Sequence, residues 1–161
     1  EPIIHDPELA RTFAQVHWLA ETSGDSLETD ELLSRFFVRL LARHGRVTGL
    51  KSDPPVEPAA LSRAIDYLDT HFSESIDLVT LAAVAGIPRT RLIRVFNRAT
   101  GLTPHAWLTD RRVREARVML SSGAPPAEVA AACGFYDQSH LNRVFKARIG
   151  VSPGAFRAAH L

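Results

Sequence analysis

Apolar residues recur at helical spacing in the first part of the chain. The sequence Asp6-Pro7-Glu8 predicts a helix start, because proline is favoured in the first turn of a helix. Four apolar residues then follow at intervals of three or four: Leu9, Phe13, Val16 and Ala20. Strand-like alternation of apolar and polar residues is almost absent along the chain, so we expect an all-α protein.

A second amphipathic helix is predicted to begin near Asp25-Ser26 and to end at Gly45. Its apolar stripe contains six residues: Leu32, Leu33, Phe36, Phe37, Leu40 and Leu41. Residues 1–45 are therefore expected to form a helical hairpin. Two helices with that much apolar surface must pack on each other, on a part of the protein outside this sequence, or on a second copy of the chain.

Residues 46–58 contain three prolines and no apolar periodicity. We expect a semi-rigid linker here, because proline restricts the backbone and interrupts helices. Helical spacing resumes after the linker. Asp77 is predicted to cap one helix and Gly86 to end it, and Thr103-Pro104 is predicted to open a long helix over residues 104–121.

The strongest sequence feature is an internal repeat. Residues 81–87 align with residues 129–135 at an offset of 48, and residues 92–96 align with residues 141–145 at an offset of 49. The second copy therefore has one additional residue in its turn. Each copy contains a short helix with consecutive alanines, a turn glycine and a longer basic helix, which is typical of a helix-turn-helix unit. If the longer helix buries one face, its opposite face is available to a DNA major groove.

Charge and composition are compatible with a nucleic-acid ligand. The net charge is +1, but residues 1–53 hold six basic and nine acidic residues, whereas residues 54–161 hold thirteen and nine. All basic residues except Lys51 and Lys146 are arginine, whose guanidinium makes bidentate contacts to phosphate and guanine. No apolar run approaches the roughly 20 residues of a membrane span, and no secretory leader is visible. We expect a cytoplasmic, nucleoid-associated protein without membrane contact, or a piece of a longer one.

Little in the sequence points to catalysis or to a cofactor. The seven histidines are scattered without the spacing of metal ligands. No nucleophile–base pair, phosphate-binding loop or carboxylate dyad is visible. Cys133 is the only cysteine, and it occupies the position that Ala85 has in the first copy, so we expect a small buried residue. The sequence predicts neither an enzyme nor a bound cofactor or metal.

The residues of the two copies resemble the AraC/XylS-type transcription regulators. In the first copy the matching residues are Leu81-Ala82, Gly86, Leu92-Ile93-Arg94-Val95-Phe96, Gly101, Thr103-Pro104 and Arg112 to Leu120. In the second copy they are Val129-Ala130, Cys133-Gly134-Phe135, Asp137-Gln138-Ser139, Phe145-Lys146, Gly150 and Ser152-Pro153. The resemblance covers about residues 60–158. It implies that residues 59–161 form a bipartite DNA-binding domain, in which helix 104–121 joins two three-helix subdomains.

The resemblance also implies partners. Recognition helices over residues 88–100 and 137–149 would enter successive major grooves on one face of double-stranded DNA. Residues 1–45 are similar to the helical pair that follows the effector-binding barrel in many such regulators, and that pair commonly mediates dimerisation. A homodimer through residues 1–45 is therefore expected, with a small-molecule effector bound by a domain absent from this chain. The regulator would recruit or block RNA polymerase, and we expect activation.

The resemblance assigns DNA-contacting roles to individual residues. The candidates for base contact are Arg89, Thr90, Ile93, Arg94, Gln138, Ser139, Asn142 and Arg143, and those for phosphate contact are Arg91, Arg98, Lys146 and Arg148. Ile93 departs from the polar residue often found at its position, so it would contact a thymine methyl or read no base. Arg94 and Arg143 are equivalent in the two copies, and either could instead be a structural arginine paired with an acid.

The predicted long helix carries a run of arginines: Arg111, Arg112, Arg114 and Arg117. Such a run is usually a solvated face, and ion pairs with Asp110 and Glu115 are favoured over contacts to phosphate.

Two alternatives from other functional classes stay open. One is a helical protein-interaction module that has lost specific DNA binding, which an acidic or neutral recognition face would favour. The other is an enzyme with such a domain attached, which would need a reactive cysteine or a metal cluster. Both recognition faces are basic, and neither catalytic feature is visible, so the sequence favours the DNA-binding regulator.

Overall fold

The computed structural model describes residues 6–22, 26–44 and 58–161, and all regular secondary structure in those ranges is α-helical. The helices are α1 (Pro7–Thr22), α2 (Ser26–His44), α3 (Pro58–Thr70), α4 (Leu78–Ala85), α5 (Arg89–Thr100), α6 (Pro104–Ser121), α7 (Pro126–Ala132), α8 (Gln138–Ile149) and α9 (Pro153–Ala158). The expected all-α fold is confirmed. Pro58, predicted as the last linker residue, instead begins α3, a position that proline favours. The rest of the predicted linker and the predicted helix end at Gly45 lie outside the described residues.

The helix ends are set by the capping residues that the sequence predicted. The Asp77 carboxylate accepts a backbone N–H of the first turn of α4 at 2.6 Å. Gly86 ends α4 in the left-handed conformation, with a φ of 72°. Thr103 caps α6, which spans residues 104–121 as predicted. The second copy uses Asp137 in the same way as Asp77, with its carboxylate 2.6 Å from a backbone nitrogen of α8.

Residues 58–161 bury two apolar cores, and α6 contributes to both. The first core joins α3, α4 and α5 to Leu108 near the start of α6. The second core joins α7 and α8 to Val113, Ala116 and Leu120 on the later turns of α6, with Phe156 of α9 packed against it. The expectation of two subdomains joined by one long helix is thereby confirmed.

Arg112 of α6 is buried between the two cores, contrary to the prediction of a solvated arginine. Its Nε donates to the carbonyl of Phe72 at 2.8 Å, and its Nη2 donates to the carbonyl of Glu74 at 2.9 Å. The prediction failed because backbone carbonyls leave no mark in a sequence pattern. Gly134, in the turn that follows α7, lies against the same segment, next to the backbone of Ser73. These contacts fix the second helix-turn-helix unit relative to the first.

Ion pairs confirm the prediction for Arg111 but not for Asp110. Arg111 pairs with Glu115 one turn later at 2.9 Å, and its guanidinium also lies 4.2 Å from the centre of the Phe72 ring. Asp110 pairs with Arg148 of α8 instead of an arginine of its own helix. The ion pair between Asp110 and Arg148 therefore joins α6 to α8, the second predicted recognition helix.

Helices α1 and α2 pack on each other as a hairpin. Leu9, Val16 and Leu19 of α1 are buried. Ion pairs tie the start of α1 to the end of α2: Arg39 with Glu8 at 2.6 Å, and Arg43 with Asp6 at 3.1 Å and Glu8 at 2.6 Å. The pKa of Asp6 lies well below its usual range, chiefly because the backbone N–H of Leu9 donates to the carboxylate, with His44 and Arg43 adding to the effect.

The apolar stripe predicted for α2 is buried less than expected. Phe37 and Leu41 expose 49% and 51% of their surface, and Phe13 of α1 exposes 57%. The buried residues of α2 are instead Leu27 and Glu31 in its first two turns. The reason is that α1 covers one side of α2, while the first turns of α2 pack on the first core of residues 58–161.

The two turn glycines of the repeat provide a test of the contact between subdomains. Both have left-handed backbones, so alanine at either position should lower the free energy of unfolding by about 1–2 kcal/mol. Gly134→Ala should lower it further, because a Cβ there would lie 2.7 Å from the carbonyl oxygen of Ser73. Gly86→Ala is the matched control, since its Cβ would meet only the Arg63 guanidinium, at an ordinary contact distance of 3.4 Å. Urea unfolding measures both, and equal losses would contradict the described contact.

The buried Cys133 thiol should be unreactive in the folded protein. Burial, with a smaller effect of Glu115, raises the pKa of this thiol to about 11. At pH 8.5 the folded protein should therefore react with a soluble disulfide reagent far more slowly than the urea-unfolded chain. Because the folded pKa is raised, stability should also fall as the pH rises from about 9 to about 11. Native labelling at the rate of the unfolded chain would contradict the burial of Cys133.

Candidate nucleic-acid interface

Helix α5 is anchored by one face and exposed on the other. Leu92 and Phe96 are fully buried in the first core. The residues on the opposite face are exposed: Arg89, Thr90, Arg94, Asn97 and Arg98. The tight turn before α5 follows from Gly86, whose left-handed backbone lets α4 and α5 approach closely. This is the arrangement expected of a recognition helix, because side chains that could reach a groove are not used in packing.

Two of the predicted site residues of α5 lie at the edge of this face. Ile93 is half-buried and packs against the first core. Arg91 is also half-buried. Part of the Ile93 side chain contacts the core, which explains why an apolar residue is tolerated there. The part that stays accessible to solvent is available for contact with a thymine methyl.

Helix α8 repeats the geometry of α5. Leu141 and Phe145 are fully buried in the second core. The five predicted residues on the opposite face are exposed: Gln138, Ser139, Asn142, Arg143 and Lys146. Arg94 and Arg143, which are equivalent in the repeat, therefore both lie on exposed faces. All the predicted base-contact candidates except Ile93 lie at exposed positions.

Arg148, predicted to contact phosphate, is engaged within the protein. Its guanidinium forms an ion pair with Asp110 of α6. Any contact of Arg148 with a phosphate would have to compete with this carboxylate. Lys146, two residues before Arg148, lies on the exposed face of the same helix.

The electrostatics of the two exposed faces are of one sign. Residues 89–100 contain four arginines, and residues 138–149 contain Arg143, Lys146 and Arg148; neither segment contains an acid. The faces therefore combine a positive charge with hydrogen-bond donors, which suits a polyanion that also presents base edges.

Two exposed residues next to these faces were not predicted from the sequence. Tyr136 exposes 68% of its surface immediately before the cap of α8. Asn97 is exposed one turn after Arg94. The additional residue in the second copy's turn is the signal that could have pointed to Tyr136, because it falls in the segment where the two copies differ in length.

Other chemistry is not found in the described ranges 6–22, 26–44 and 58–161. They contain no cluster of three histidine, cysteine or carboxylate side chains that could hold a metal ion. In the same ranges, no helix has the length and apolarity required to cross a bilayer.

Comparisons with known proteins agree with this geometry. A helix-turn-helix domain family matches residues 81–159. The arabinose operon regulatory protein of Escherichia coli (strain K12) is 28% identical over 156 residues, which are 96% of this chain and 52% of that protein. The HTH-type transcriptional activator RhaS of Enterobacter sp. (strain 638) is 30% identical over 137 residues, which are 84% of this chain and 48% of that protein.

A solved structure extends the agreement to three dimensions. The DNA-binding domain of AdpA, a global transcriptional factor crystallised in complex with a target DNA, superimposes with a TM-score of 0.60 at 35% identity. The match covers 63% of this chain and 92% of that domain. The chain spans about half the length of the curated relatives it matches. With two helix-turn-helix units around one shared helix, this chain belongs to the AraC/XylS family of transcription regulators.

Proposed function

We propose that this chain binds double-stranded DNA sequence-specifically and regulates transcription, with α5 and α8 in successive major grooves. The observation that carries the proposal is the repeated geometry of these two helices. Each buries a leucine and a phenylalanine completely and exposes a basic face that contains no acid. Two such faces on one molecule would contact sites about one helical turn, roughly 10 bp, apart.

The proposed base contacts follow from the chemistry of the exposed side chains. Arg94 and Arg143 would donate bidentately to guanine, and Gln138 and Asn142 to adenine, each pair contributing about 1–3 kcal/mol of discrimination. Further base contacts are proposed for Arg89, Thr90, Ile93 and Ser139. Phosphate contacts are proposed for Arg91, Arg98, Lys146 and Arg148, with Tyr136 added on the basis of its exposure.

The hairpin α1–α2 is proposed as a dimerisation element. It exposes a set of large apolar side chains, each at about half of its surface or more: Phe13, Trp18, Phe37, Val38 and Leu41. A second copy packing on these residues would remove them from water. Dimerisation would also join two bipartite DNA-binding units, which lengthens the contacted site.

We also propose partners and a location for the whole protein. Binding upstream of a promoter would let the protein contact RNA polymerase, and activation is proposed because RhaS carries that description. A small-molecule effector would bind to a domain that precedes the hairpin. Since the DNA target lies in the nucleoid, the proposed function implies a cytoplasmic location, and non-covalent binding requires no catalytic residue.

Selection of binding sites from a random duplex library should test the proposal directly. The wild-type chain should enrich a site with two contacted segments about one helical turn apart. Arg94→Ala should weaken selection in one segment and Arg143→Ala in the other, because the two residues lie on different recognition helices. Glu128→Gln on the exposed surface of α7 is a control that should retain the wild-type site. No enrichment, with weak binding that collapses as salt rises, would support a module that has lost specific binding and would reject the proposal.

The salt dependence of binding should separate Lys146 from Arg148. Lys146→Ala should reduce the slope of log K against log salt by about 1, as expected for the loss of one phosphate contact. Arg148→Ala should reduce it less, because Asp110 already neutralises that guanidinium in the unbound protein. Titrations at four salt concentrations by fluorescence anisotropy measure both slopes. A larger effect of Arg148→Ala would mean that Arg148 leaves Asp110 for the DNA.

A further inference from the structure

The first two turns of α2 lie between two helix starts of the first helix-turn-helix subdomain. The Asp30 carboxylate accepts the backbone N–H of Leu78, the first residue of α4, at 3.3 Å. The Glu31 carboxylate accepts the backbone N–H of His105, the second residue of α6, at 2.6 Å. A helix start has unpaired N–H groups and a positive dipole end, so each carboxylate supplements the cap that the helix already has.

Apolar packing accompanies these hydrogen bonds. Leu27 is fully buried and belongs to the first core, the same core that holds Leu92 and Phe96 of α5. The hydroxyl of Ser26 donates to the carbonyl of Ile76 at 3.1 Å, next to the start of α4. The first turns of α2 thus complete the packing beneath the first recognition helix.

Glu31 is buried to an unusual degree for an acid, with 4% of its surface exposed. Its burial raises the pKa of the carboxyl, while hydrogen bonds from Thr103 and the His105 amide act in the opposite direction. Burial of the charge therefore opposes the contact, and Leu27 together with the hydrogen bonds favours it. The docked population therefore depends on both Leu27 and the Glu31 hydrogen bond, and loss of either should lower it.

Chain connectivity does not force this contact. Thirteen residues, 45–57, separate α2 from α3, a length that can span up to roughly 45 Å when extended. The hairpin therefore docks because its side chains fit the surface around Ile76–Leu78 and Thr103–His105.

We propose that the first turns of α2, through Leu27, Asp30 and Glu31, form an intramolecular docking surface that couples the position of the hairpin to the DNA affinity of the first recognition helix. The inference rests on the proposed function, since it concerns DNA binding by α5. Docking holds α4 and the start of α6 against the core that supports α5, so the docked hairpin favours the arrangement that binds DNA. Coupling is reciprocal, and bound DNA must favour docking by the same factor.

The test compares substitutions inside the docking surface with one at an exposed position of the hairpin. Leu27→Ala and Glu31→Ala should speed hydrogen exchange at the amides of Leu78 and His105, because the first removes buried apolar contacts and the second removes the acceptor of the His105 amide. They should also weaken binding to the selected DNA site by about 5- to 150-fold, the usual range of coupling between two sites. Glu21→Ala, at an exposed position of α1, is the control and should change neither quantity. Added DNA should slow exchange at the His105 amide in the wild-type chain.

The outcomes separate this inference from the proposed function. Faster exchange at Leu78 and His105 with unchanged DNA affinity would overturn the coupling and leave DNA recognition intact. Absence of specific binding by the wild-type chain would instead reject the proposed function. Glu31→Ala leaves the apolar core intact, so it keeps the test decisive if Leu27→Ala does not fold; circular dichroism identifies that case. Tighter DNA binding by a variant whose His105 amide exchanges faster would show that the docked hairpin inhibits binding, and would also overturn the inference.

Discussion

The position of each recognition helix depends on α6, because this helix has residues in both apolar cores. Leu108 packs in the first core, and Val113, Ala116 and Leu120 pack in the second. Arg112 lies at the boundary between them and donates to two carbonyls of the segment that follows α3. An ordinary flexible connection would let the two helix-turn-helix units reorient. A shared helix with a buried arginine at its centre instead keeps α5 and α8 at a set separation, which a ligand with a regular repeat requires.

The duplication gives α5 and α8 the same packing but different exposed side chains. Buried positions are equivalent in the two copies: Leu92 and Phe96 correspond to Leu141 and Phe145, and each of these residues is fully buried. Exposed positions differ, since Arg89 and Asn97 correspond to Gln138 and Lys146. Packing therefore constrains one face of each helix, while the other face is open to change without loss of stability.

The amino-acid sequence predicts the parts of the structure that local chemistry determines. The caps at Asp77 and Thr103, the left-handed glycine at position 86 and the extent of α6 are confirmed, because each depends on residues within one or two turns. The division into domains and the DNA-contacting roles of single residues stay predictions.

Contacts across long sequence separations were not predictable in the same way. Arg112 binds carbonyls 38 and 40 residues earlier, and Glu31 binds an amide 74 residues later. Backbone groups carry no side-chain signature, so the sequence offers no complementary residue to pair with these charges. Glu31 and Arg112 each look like solvated residues of an amphipathic helix until their partners are known.

The burial of Leu27 changes where the smallest complete folding unit begins. A boundary at Pro58 follows the composition of the chain, yet a fragment cut there would lose a leucine from its first core and an acceptor from the start of both α4 and α6. Removal of a buried leucine side chain costs about 2–5 kcal/mol in well-packed cores, which is a large share of the stability of a small domain. The unit that folds cooperatively therefore begins before Pro58, and its first core extends back to Leu27.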